Sequence, residues 1–62
     1  MNDYFELYEE GYQVGYDAYW IGLSDRANPY DPIKQGDQWD GWNAGWQAAF
    51  GSDDLVYTGV YH

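Results

Sequence analysis

The chain has 62 residues, no cysteine and a formal charge of −9, from 11 acidic and 2 basic residues. It can build one small domain at most, with no disulfide or thiolate metal site to staple it, so its 4 Trp, 8 Tyr and 2 Phe must supply the core. The charge repels nucleic acid and anionic membrane surfaces; it either suits a partner with a basic surface or serves only the solubility of so aromatic a chain.

Residues 2–6, Asn-Asp-Tyr-Phe-Glu, do not read as a secretory leader. The longest apolar run, Ala18 to Leu23, is far short of the ~20 residues of a membrane span. A cytoplasmic protein without membrane association is expected.

Residues 2–24 are predicted as a helix, with Asn2 as N-cap. Leu7, Gly11, Val14, Ala18 and Ile21 recur at steps of four and three, which defines one apolar face. Tyr4, Tyr8, Tyr12 and Tyr16 form a stripe beside it. Glu6, Glu10 and Asp17, with Glu9 at the margin, form an acidic ridge on the opposite side. Gly11, Gly15 and Gly22 each cost a helix interior about 1 kcal/mol relative to Ala, and close approach of a second helix is the expected return.

Residues 25–36 are predicted as a connector, because Asn28-Pro29 and Asp31-Pro32 disfavour helix and Gly36 adds a further break. Tyr30, between the prolines, is expected to pack back as a latch. Residues 37–50 are predicted as a second helix, with Asp37 as N-cap and Gly51 as the glycine that ends it. Trp39, Trp42, Trp46 and Phe50 share one face, beside a smooth strip of Gly41 and Gly45. The expected fold is all-α: a two-helix antiparallel hairpin over residues 1–50, with Trp of one helix over Gly of the other. Residues 51–62 form a separate tail, Leu55, Val56, Tyr57, Thr58, Val60 and Tyr61 being β-prone. It can pair with another chain, drape over the helices or stay disordered.

One pattern is more specific than the rest. Gly15, Tyr16, Ala18 and Gly22 are followed by Asn28-Pro29-Tyr30, then by Trp42, Gly45, Trp46 and Ala49. Over roughly residues 11–50 this resembles the ribosome modulation factor family, short helix-loop-helix proteins of bacteria and their phages. The resemblance implies the same fold, with Gly15, Gly22, Pro29, Tyr30, Trp42, Gly45 and Trp46 as its packing motif. It also implies ribosome or RNA association as an alternative function. Ribosome-bound members are basic, whereas this chain has only Arg26 and Lys34.

No catalytic set is legible. His62 is the only histidine and stands at the end of the chain. Glu6 and Glu10, four apart on one helix face, read as a solvated face and not as a cleft of the kind glycoside hydrolysis needs. No spacing suits a calcium loop, a zinc site or a phosphate loop, so neither metal nor cofactor is expected. The expected function is that of a small acidic, non-enzymatic interaction module. Glu6, Glu9, Glu10 and Asp17 would dock on a basic host protein, in the sharpest form as a phage-type inhibitor that mimics nucleic acid. A homodimer that buries the surplus aromatics can coexist with that role.

Overall fold

The structure, a computed structural model, describes residues 3–60, with side chains described for residues 4–53. It consists of two helices, α1 (Asp3–Trp20) and α2 (Gly36–Val60), packed on each other. The all-α, two-helix expectation is met. The proposed Asn2 cap and the last two residues of the tail lie outside the described residues.

Glycine joins the helices. Gly11 and Gly15 of α1 and Gly41 and Gly45 of α2 are all buried, and each abuts the main chain of the other helix. A Cβ on Gly15 would stand 2.9 Å from Trp42 Cα, and one on Gly11 would stand 3.0 Å from Gln38 Cα. Gly41 abuts Tyr8 and Tyr12, and a Cβ on Gly45 would stand 3.0 Å from Tyr12 Cα. Helices that carry side chains at the contact keep their axes about 8–10 Å apart; these glycines remove that spacer. The expected Trp rings over Gly give way to backbone on Gly, with the rings at the flanks. Ala18 and Ala49 continue the two strips in full burial, and Trp42 is the one large side chain wholly enclosed among the described residues, at 1 % exposure.

The pairings also set direction. Gly11 meets Gln38, Gly15 meets Trp42, and Tyr19 meets Trp46 and Phe50. Contacts advance along both helices together, so α2 runs parallel to α1 and not antiparallel. The connector allows this, because residues 21–35 can reach about 50 Å when extended, while α1 is only about 27 Å long.

The ends of the elements follow local chemistry. The Leu23 N–H donates to the Ala18 carbonyl (3.0 Å) and the Gly22 N–H to that of Tyr19 (3.1 Å), with Gly22 at φ +94°. This is a Schellman cap. It stops α1 at Trp20, short of residue 24, and it takes Gly22 out of the packing strip, with nothing within 4 Å of where its Cβ would be.

In the connector, the Asn28 side-chain amide donates to the Trp39 carbonyl and to Asn43 Oδ1, both at 3.1 Å, while its Oδ1 accepts from the Tyr30 N–H at 3.0 Å. Asn28 is therefore the polar latch to α2, and Tyr30 is half-buried beside it. Asp31 Oδ1 accepts from the N–H groups of Ile33 and Lys34, and Gln35 Oε1 accepts from the Asp31 N–H. That reciprocal cap nucleates the turn leading into α2. Asp37, expected as the N-cap, instead lies in the first turn of α2, and the Gln35 carbonyl accepts the helix bond from Trp39.

The backbone of α2 does not stop at Gly51 but stays helical to Val60. Among the described residues the β-prone stretch has no intrachain strand to pair with, and β propensity depends on such a context.

Candidate functional site

Between Gly11, Gly15 and Ala18, α1 turns its smoothest strip to α2. At 100° per residue, this rotation puts the acidic residues on the far flank. Glu6, Glu9, Glu10 and Asp17 are all exposed. Glu6, Glu9 and Glu10 line a shallow depression around Gln13, and Glu9, Gln13 and Asp17 line the next one with Tyr12 and Tyr16. The four carboxylates predicted from sequence thus form one continuous surface. Neither helix carries a Lys or Arg, and both basic residues, Arg26 and Lys34, are exposed in the connector.

Glu10 also acts on the connector. Burial pushes the Tyr30 hydroxyl above its ordinary pKa, and the Glu10 carboxylate adds to the push by disfavouring a second negative charge.

The opposite flank of α1 is aromatic. Tyr4, Tyr8 and Tyr12 form a ladder with ring centroids 6.0 and 6.4 Å apart. Tyr19 makes edge contacts with Trp20 and Trp46 and stacks on Phe50, and its hydroxyl donates to Asp53. Trp46 is half-buried, and its indole N–H donates to the Leu23 carbonyl at 2.9 Å. Trp39 is half-buried and Trp20 exposed.

The packing motif predicted from sequence is distributed over three jobs. Gly15, Gly45 and Trp42 lie in the helix contact, Trp46 and Gly22 secure the end of α1, and Pro29 and Tyr30 belong to the latched connector. Asn28 and the partner glycines Gly11 and Gly41 carry as much of the architecture as these. Repetition of Gly at i+4 in both helices is the signal that finds the glycines. Val14 and Ile21, expected in the core, are exposed at 40 % and 74 %.

Among the described residues, no group of three or more His, Asp or Glu side chains is placed to hold a metal ion, and no helix is long and apolar enough to cross a membrane. The chain matches no protein-family model, no curated protein and no solved structure.

Proposed function

We propose that this is a non-enzymatic cytoplasmic interaction module whose acidic face docks on a basic protein surface and stands in for the phosphates of a nucleic acid. The supporting observation is the continuous exposed face of Glu6, Glu9, Glu10 and Asp17 on a helix with no cation. Like charges at i, i+4, as in Glu6 and Glu10, destabilise a helix by a few tenths of a kcal/mol per pair. A basic partner turns that repulsion into attraction and speeds encounter, with strong salt dependence.

The test is a pull-down from bacterial lysate, followed by binding of the triple variant Glu6→Gln, Glu10→Gln, Asp17→Asn to the captured protein. The variant should melt at or slightly above the parent temperature and bind more slowly at low salt. Unchanged affinity overturns the proposal. So does binding of RNA at low salt without a protein partner, which would favour the ribosome-associated reading that the family resemblance suggests.

A further inference from the structure

Val14 and Ile21 keep the apolar helical spacing of a core yet face solvent. They are not isolated. With Ala18, Leu23, Pro29 and Trp42 they line a groove of about 320 Å³ between α1 and the returning connector, and its lining is mostly apolar. Its floor is fixed, because Ala18 and Trp42 are buried in the helix contact and Asn28, beside Pro29, is latched to α2. The walls contributed by Val14, Ile21 and Leu23 are open.

Charge decides what this groove suits. Asp17 lies in its lining, and Glu10, one helical turn before Val14, continues the acidic ridge along the same side. A second copy of the chain would bring another −9 to a surface already acidic. A cationic amphipathic helix brings complementary charge together with an apolar face. We propose that the groove is the docking site for such a helix: its apolar side chains enter between Ile21 and Pro29, and its Lys or Arg residues lie along Asp17 and Glu10. This rests on the docking reading above and names the chemistry of its partner.

The probe is a labelled 18-residue peptide with Leu at helical spacing and Lys elsewhere, compared with a scrambled peptide of identical composition. Binding is read by fluorescence anisotropy, and the methyl signals of Val14, Ile21 and Leu23 locate it. The amphipathic peptide should bind about tenfold tighter than the scrambled one, as expected for burying one or two aliphatic side chains, and should shift those methyls. Ile21→Ser, at an open position, should keep the fold and abolish the difference. Equal binding of both peptides, with Ile21→Ser silent, overturns the groove while leaving electrostatic docking standing. Binding of neither peptide overturns both. Self-association that Ile21→Ser removes assigns the groove to a second copy and overturns the proposal.

Discussion

Gly15 rests on the main chain of Trp42, so closely that a Cβ there would lie 2.8 Å from the Trp42 carbonyl carbon and 2.9 Å from its Cα. The neighbour is backbone, which cannot rotate away as a side chain can. Gly15→Ala should therefore destabilise the protein by at least about 1–3 kcal/mol, although Ala is the better helix former by about 1 kcal/mol. Gly51, also helical but with nothing within 4 Å, is the control. Gly51→Ala should raise the melting temperature, and opposite shifts from the same chemical change isolate the interhelical contact.

Gly22 fails for a different reason. Its surroundings are empty, but its φ of +94° is one that side chains rarely adopt. Gly22→Ala should cost about 1–2 kcal/mol through strain alone. Gly22→Asn should cost less, because Asn tolerates left-handed backbone. Denaturant unfolding of the two variants gives the ranking.

Asn28 serves as donor and acceptor at once, which no other side chain of its size can do in this place. Asn28→Asp keeps the bond from the Tyr30 N–H but turns an oxygen toward the Trp39 carbonyl and Asn43 Oδ1. A loss of about 1–3 kcal/mol is expected, the scale of an unsatisfied polar group. Stability should partly recover in acid, where a protonated carboxyl can donate again.

Tyr30 titrates above its ordinary range because it is partly buried and because Glu10 is near. Its neutral form is favoured by folding, so this contribution is complete below the unfolded value of about 10 and fades as pH rises through the higher folded value. Tyr30→Phe should flatten the alkaline loss of stability. Glu10→Gln should lower the Tyr30 titration only in part, since burial is the larger cause. Tyrosinate absorbance, taken as the difference between parent and Tyr30→Phe, follows it.

The two helices, the smooth strips and the acidic ridge were legible because each is a periodicity in the sequence. Glu6, Glu10 and Asp17 stay on one exposed flank however the helices meet. The direction of α2 was hidden because Gly-x-x-x-Gly strips pack equally well either way in pattern. The one clue was the length of the connector, since an antiparallel pair commonly needs only about 2–8 residues. Val14 and Ile21 were misplaced because the glycines draw the contact toward Gly11 and Gly15, rotating those two aliphatic residues out. Asn28 gave no periodic signal: its role depends on where the returning connector crosses Trp39 and Asn43.

Parallel packing also changes how the chain must assemble. In an antiparallel hairpin the first contacts form beside the turn and zip outward from a small loop. Here the Tyr19–Asp53 bond spans 34 positions and even the Trp46–Leu23 bond spans 23, while Gly11–Gln38 and Gly15–Trp42 are similarly remote in sequence. Each of these contacts requires a long segment to close before any glycine meets its seat, and loop-closure entropy is spent ahead of the packing gain. The expectation is that the connector comes back along α1 early, with Asn28 finding α2 before the helices seat; a φ-value for Asn28→Ala near 1 would bear this out. Folding is therefore expected to be slower than that of an antiparallel hairpin of the same length, a difference that stopped-flow refolding would read.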